Sequence, residues 1–285
     1  MWYPALMSGR LSVVATPIGC LEDITLRAIR ILREADLILA EDTRHTRTLC
    51  SKHGINTPLR SFHAHTNEGK VDLLIAELVD GAHYAMVSDA GTPVVSDPGV
   101  YLVSRAANAG IEVEAIPGPS AVLAALCVAG LPVRRFVFEG FLPKSGGDRT
   151  RALDRIAQSA ITVVLFESPH RIHATLNDLE RTLDGDRQIA LCRELTKMHE
   201  QTIRGIAAEV QSELADPARG EITIVIEGRP ADAPVDDIDL GALVLEWQRE
   251  GLSTKEMTQK LQRDLGWKRN AAYQAILDAL KPDQS

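Results

Sequence analysis

Short apolar runs alternate with segments of helical period from Leu11 to Ala129, and this alternation leaves the chain few folds to adopt. Residues 11–15, 35–40, 59–62, 82–87 and 111–116 are too short for helices and apolar enough to be buried strands. Helical spacing is predicted over 71–79, 101–109 and 121–129, and at Leu26, Ile29 and Leu32 behind a capping Asp23. Such alternation implies a mainly parallel α/β sheet. Ligands of these sheets bind outside the carboxyl ends of the strands. Function is therefore expected in the loops at those ends.

The loops share small, stiff and polar residues. Thr16-Pro17-Ile18-Gly19 follows the first strand, and Glu41-Asp42-Thr43-Arg44-His45-Thr46-Arg47 the second. His63-Ala64-His65 follows the third. Ser88-Asp89-Ala90-Gly91-Thr92-Pro93 follows the fourth and runs on to Ser96-Asp97-Pro98-Gly99, while Pro117-Gly118-Pro119-Ser120 follows the fifth. Gly91 lets a ligand approach its backbone, and Pro93 and Pro98 stiffen the loop. Asp97 is expected to cap the next helix with Pro98 at its first position. Ser120 is expected to cap the helix after it, whose N-terminus can receive a carboxylate. Glu41 to Arg44 reads either as an ion pair that shapes the loop or as a site that orients a substrate or accepts a proton.

The pattern resets at Gly130-Leu131-Pro132, which suggests a boundary. Strands at 135–138, 161–166, 188–192, 201–204 and 222–226 outnumber the helices among them, so a mixed sheet is expected. Residues 140–149 read as a flexible basic loop. Lys144, Arg149 and Arg151 there are either a solvated surface or a clamp for a nucleic-acid backbone. Glu167-Ser168-Pro169-His170-Arg171 is either a helix start or a site where Arg171 grips phosphate. Arg193-Glu194-Leu195-Thr196-Lys197 closes a further strand. The predicted organisation is an N-terminal α/β domain over 11–130, a C-terminal α/β domain over 131–228, a linker over 229–238 and a helix-turn-helix-like unit over 239–281. In that unit, apolar positions are expected at Leu240, Leu243, Val244 and Trp247, at Met257, Leu261 and Leu265, and at Tyr273, Ile276, Leu277 and Leu280. Ser253 with Glu256 forms a capping box. Trp267 to Asn270 opens the third helix, which either reads nucleic acid or packs on the main body.

Composition narrows the function classes. Charged residues make up 25% and the net charge is −8, which argues against a nonspecific nucleic-acid coat but allows a local basic patch. Aromatics at 4% are too few for a base-stacking platform. Cys20, Cys50, Cys127 and Cys192 form no C-x-x-C pair, so a reducing cytoplasm fits best. Residues 1–10 lack the pattern of a signal peptide, and translation from Met7 is an alternative start. No run is long enough to span a bilayer. No G-x-G-x-x-G, P-loop or G-x-S-x-G motif occurs. His63-x-His65 and His170-x-x-His173 lack matched ligands, so no metal is expected.

Taken in order, Thr16–Gly19, Ala40–Thr46, Ser88–Gly99, Pro117–Ala121, Phe138–Pro143, Glu167–Arg171 and Arg193–Lys197 resemble the ribosomal RNA small subunit methyltransferase I family of the tetrapyrrole methylase superfamily. Cys20 departs from the Asn that commonly follows Pro-Ile-Gly, and 144–151 is less basic than in many members. The resemblance implies two α/β domains with S-adenosylmethionine in the cleft between them, and a homodimer. It implies 2′-O-methylation of a cytidine ribose in 16S rRNA, the partner being the rRNA or the assembled 30S subunit, without DNA or membrane. Motif matching points to Pro17, Asp89, Gly91, Thr92, Ser120, Ala121, Glu167 and Ser168 as cofactor-site residues. Position on the rim makes Asp42, Glu41 and His45 the candidate bases, and Arg44, Arg171 and Lys197 candidate phosphate ligands. A small-molecule methyltransferase of the same superfamily and a noncatalytic nucleic-acid-binding regulator are the competing readings.

Overall fold

The computed structural model describes residues 9–63, 66–229, 240–265 and 269–280. The first sheet is parallel throughout, in the order β3-β2-β4-β1-β5. Its strands are β1 (Arg10–Val14), β2 (Leu37–Ala40), β3 (Leu59–Ser61), β4 (His83–Val87) and β5 (Glu112–Ile116). Every residue of β2 is buried, as a strand covered on both faces requires. Helices α1 (Leu26–Glu34) and α2 (Thr43–Lys52) cover one face through Ile31, Leu32 and Leu49. Helices α3 (Glu68–Val79) and α4 (Val100–Asn108) cover the other through Leu74, Leu78 and Leu102. Register places Val14 beside Ile116, and Ala40 beside both Val87 and Ser61, so the carboxyl ends line up along one rim.

The second sheet is mixed, in the order β6-β7-β10-β8-β9. Strands β6 (Phe136–Phe141) and β7 (Thr162–Glu167) are parallel. Strands β8 (Ile189–Arg193), β9 (Gln201–Gly205) and β10 (Ile222–Ile226) pair antiparallel, β10 against both β7 and β8. Helices α6 (Gly146–Gln158), α7 (Ile172–Thr182) and α8 (Ala207–Glu213) cover one face.

The other face is covered by α5 (Ala121–Ala129), the helix that leaves the first sheet. Val122, Ala125, Leu126 and Ala129 pack against Val164, Ala190, Cys192 and Val225. Burying a Val or Leu side chain is worth about 1.5–3 kcal/mol, so α5 is energetically part of the second layer. Arg204 of β9 adds hydrogen bonds to the carbonyls of Val128 and Ala129 at the helix's C-terminus. The sequence reset at Gly130 thus marks the end of a helix shared by both sheets. The chain to Gly228 is one compact unit, and a second begins at Arg229.

Several local expectations are corrected. Asp23 lies in a single 3₁₀ turn, and Thr25 caps α1, its hydroxyl accepting from the Ala28 N–H at 3.1 Å. Leu26 is 86% exposed, because the buried stripe is Ala28, Ile31 and Leu32. Asp97 does not cap α4. Gly99 holds that position at φ 128°, which leaves Asp97 half-buried before the helix. Residues 146–149 are the first turn of α6 rather than a flexible loop.

The second unit contains α9 (Leu240–Arg249), α10 (Thr254–Leu265) and α11 (Arg269–Ala279) around Val244, Trp247, Met257, Leu261, Ala272 and Ile276. The Ser253–Glu256 capping box forms, with the Ser253 N–H donating to Glu256 at 2.8 Å. Tyr273 is 49% exposed and lies off the core stripe. His65, most of the expected linker, and Trp267 and Lys268 lie outside the described residues. Among the described residues, no helix is long and apolar enough to cross a membrane.

Candidate active site

The loops at the carboxyl ends of β1, β2, β4 and β5 are joined by hydrogen bonds. Thr16 and Gly91 form a two-way backbone bridge, N to O at 2.8 and 3.0 Å. Gly91 has φ 80°, which favours glycine, and a Cβ there would sit a tight 3.3 Å from the Ile18 side chain. The buried Thr16 hydroxyl also donates to the Ser88 carbonyl at 3.2 Å. The Asp42 N–H donates to Asp89 Oδ1 at 2.9 Å, and the Thr92 hydroxyl donates to the Pro119 carbonyl at 3.1 Å. Asp89 and Thr92 therefore tie the rim together. Ser120 caps α5, its hydroxyl oxygen accepting weakly from the Leu123 N–H at 3.5 Å, and Ala121 is the first helical residue.

A cavity of about 100 Å³ opens on this rim, walled by Thr16, Pro17, His45, Thr46, Leu49 and Asp89. Three carboxylates gather beside it. Partial burial, then the charges of Asp89 and Asp97, raises the pKa of Glu41. Burial and the Asp89 charge raise that of Asp97, partly opposed by a hydrogen bond from Ser88. Asp42 goes the other way. It caps α2, accepting from the Arg44 N–H at 2.8 Å, and pairs with the Arg44 guanidinium at 2.7 Å. Those hydrogen bonds hold its pKa well below the usual carboxylate range. So Glu41 is the more basic of the two adjacent carboxylates. Sequence spacing gives Asp97 no place in this cluster, because its position before Pro98 matches an ordinary cap.

The second-sheet candidates are mostly occupied within the chain. Glu167 is 3% exposed and accepts from the Ser168 N–H at 2.8 Å, the Thr175 hydroxyl at 2.7 Å and Arg171 at 3.1 Å. Arg171 also donates to the Leu142 carbonyl at 2.7 Å, which ties it to the β6 end and away from a phosphate. Arg149 is likewise enclosed, bonded to Asp178, Thr175 and the Pro143 carbonyl. Lys197 bridges Glu194 at 2.7 Å and Glu221 at 3.1 Å, which raises its pKa. Lys144 is exposed, and Arg44 is exposed beside the rim. Sequence spacing cannot tell an arginine that grips a ligand from one that ties two loops together.

The two sheets meet at this rim. Ile18 and Leu195 share one apolar cluster, and a Cβ on Gly140 of the β6 bulge would lie 3.0 Å from Ser96.

Residues 10–211 match the family model of the tetrapyrrole (corrin/porphyrin) methylases. A protein of Pasteurella multocida named ribosomal RNA small subunit methyltransferase I is 43% identical over 276 residues, covering 95% of this chain and 98% of its own length. A Thermotoga maritima protein of the same name is 46% identical over 223 residues, covering 78% of this chain and 99% of its own. Among solved structures, a cobalt-precorrin-4 methyltransferase superposes with TM-score 0.59 at 17% identity, covering 79% of this chain and 97% of the other. A Thermus thermophilus uroporphyrin-III C-methyltransferase complexed with S-adenyl homocysteine superposes with TM-score 0.54 at 21% identity, covering 76% and 97%. The solved structures share the fold, and the relatives share close to half of the sequence along nearly all of their length. The chain belongs to the tetrapyrrole methylase family, on its ribosomal RNA small subunit methyltransferase I branch.

Proposed function

We propose that this protein transfers a methyl group from S-adenosylmethionine to the ribose 2′-oxygen of a cytidine in small-subunit rRNA. The observation that carries the reading is the hydrogen-bonded rim with its raised-pKa carboxylates, on a chain whose relatives bear the rRNA methyltransferase name. The residues fit the cofactor. Carboxylates at Glu41, Asp89 and Asp97 suit the positive sulfonium, and Pro17 and Leu49 offer apolar surface beside them. When bound, the cofactor supplies an electrophilic methyl. The rim's task is to hold the ribose oxygen close to that methyl and in line with it. Glu41 takes the hydroxyl proton, since a raised pKa makes it a stronger base than Asp42. His45, exposed on the cavity wall, is the second candidate for that proton. Arg44 and Lys144, both exposed, meet backbone phosphates in this reading, a local contact compatible with a net charge of −8.

The substrate in this reading is rRNA or the 30S subunit in the cytoplasm, and the enzyme works as a homodimer. Two assays test it. Calorimetric titration with S-adenosylmethionine separates an enzyme from a regulator. Ribose-methylation mapping of rRNA from a deletion strain, with and without this gene restored, tests the substrate. An unchanged map refutes the rRNA reading and leaves a small-molecule methyltransferase.

A further inference from the structure

In the Arg193–Lys197 segment Lys197 is held by Glu194 and Glu221, and the backbone around it is strained. Glu194 has φ 53° and Thr196 has φ 65°. A β-branched residue at positive φ is an outlier that persists only where its surroundings enforce it. The enforcement is visible on every side. The Glu194 N–H donates to the Glu221 carbonyl at 2.9 Å, and the Glu221 N–H donates back to Glu194 Oε1 at 3.0 Å. Gly220 leaves room for this, since a Cβ there would meet the Glu194 side chain at 2.4 Å. The Thr196 N–H donates to Glu200 at 2.8 Å.

This framework aims one group across to the first sheet. The Thr196 hydroxyl oxygen accepts the Cys20 N–H at 3.0 Å. Cys20 ends the loop that carries Pro17 and Gly19. A Cβ on Gly19 would lie 2.7 Å from Thr196 Oγ1 and 2.5 Å from Lys197 Cγ, so only glycine lets the two loops touch. Leu195 and Ile18, one from each loop, are buried in the same apolar cluster.

We propose that Thr196 is a positioning residue for methyl transfer: it holds the Thr16–Cys20 loop of the first sheet against the second and so fixes the cofactor wall at Pro17. This rests on the reading of that rim as the cofactor site. The hydrogen bond can be removed from either end. Thr196→Val deletes the hydroxyl and keeps the shape. Cys20→Pro deletes the N–H at a residue whose φ of −73° proline already favours. Thr196→Ser restores the acceptor.

The readouts are S-adenosylhomocysteine affinity by calorimetry and the separate KM values for cofactor and RNA. Thr196→Val and Cys20→Pro should each weaken cofactor affinity about 2- to 10-fold, the range of one net hydrogen bond. KM for RNA should stay nearly unchanged, and the melting temperature should fall by no more than a few degrees, the cost of that one hydrogen bond. Thr196→Ser should recover the affinity, and the double variant should be no worse than the weaker single one. Unchanged affinity in folded Cys20→Pro and Thr196→Val overturns the proposal, as do additive losses in the double variant. A rise in KM for RNA and cofactor alike, tracking the loss of melting temperature, assigns Thr196 a purely structural role and also overturns it. If the wild-type protein fails to bind S-adenosylhomocysteine, the cofactor reading itself has failed.

Discussion

Replacing Glu167 with Gln separates a cofactor ligand from a structural carboxylate. Glu167 is 3% exposed, and its oxygens accept from the Ser168 N–H, the Thr175 hydroxyl and Arg171. The amide keeps one acceptor oxygen and turns its NH₂ toward a donor, so at least one of these contacts becomes repulsive. It also leaves Arg171, 25% exposed, without its anion. Breaking a fully buried pair costs about 3–5 kcal/mol, and a charged hydrogen bond contributes about 1.5–3 kcal/mol. Partial solvation of Arg171 places the expected loss at about 2–4 kcal/mol. For a unit of this size that lowers the melting temperature by roughly 5–15 °C. The assay is calorimetric unfolding of the ligand-free protein, paired with titration of S-adenosylhomocysteine at a temperature where the variant is folded. The expected result is a large fall in melting temperature with nearly unchanged affinity. An unchanged melting temperature with lost affinity would refute the reasoning and return Glu167 to the cofactor site.

Other expectations concern the rim, the amino end of the first sheet and a buried guanidinium. Asp42→Asn keeps a good helix cap and should leave turnover close to that of the wild type, whereas Glu41→Gln should slow methyl transfer by about 10²- to 10⁴-fold at saturating cofactor. At the amino end, the Ser12 hydroxyl donates to Glu114 at 2.7 Å and lies 2.8 Å from His83 Nε2, while Arg10 approaches His83 Nδ1 at 3.4 Å. Burial, then the Arg10 charge, lowers the His83 pKa. Below about pH 6.5 the unfolded chain therefore takes up a proton that the folded protein resists. Stability should fall as pH drops through that value, and His83→Gln should flatten the dependence of the urea midpoint between pH 8 and pH 5.5. Arg187, with a fully buried side chain, donates to the carbonyls of Glu227 at 3.0 Å and Ala157 at 2.7 Å. Arg187→Ala should cost about 2–5 kcal/mol by leaving these two carbonyls without their donor, seen as a lower urea midpoint with unchanged slope.

Strand–helix alternation is a local property, and it placed the strands of both sheets to within a residue or two, except that β6 runs three residues beyond the expected end, to Phe141. It also placed Ser120 as a cap and the loops at the carboxyl ends of the strands, because strand length, apolar runs and Gly or Pro breaks are all written in neighbouring residues. The roles of side chains in those loops were not local. Arg149, Arg171 and Lys197 look like phosphate ligands in sequence, but each is held by carboxylates or carbonyls far along the chain. Asp97 spaces like a cap, and only the fold brings it near Glu41. Thr196 lies in a family motif that assigns it no role; its hydroxyl meets the Cys20 N–H because β8 ends where the loop after β1 passes. Apolar runs and their breaks suffice for the two sheets, and the loop motifs suffice for the family. Which polar residues remain for a ligand depends on the folded chain, since a charge or hydroxyl is available only when no partner distant in sequence already satisfies it.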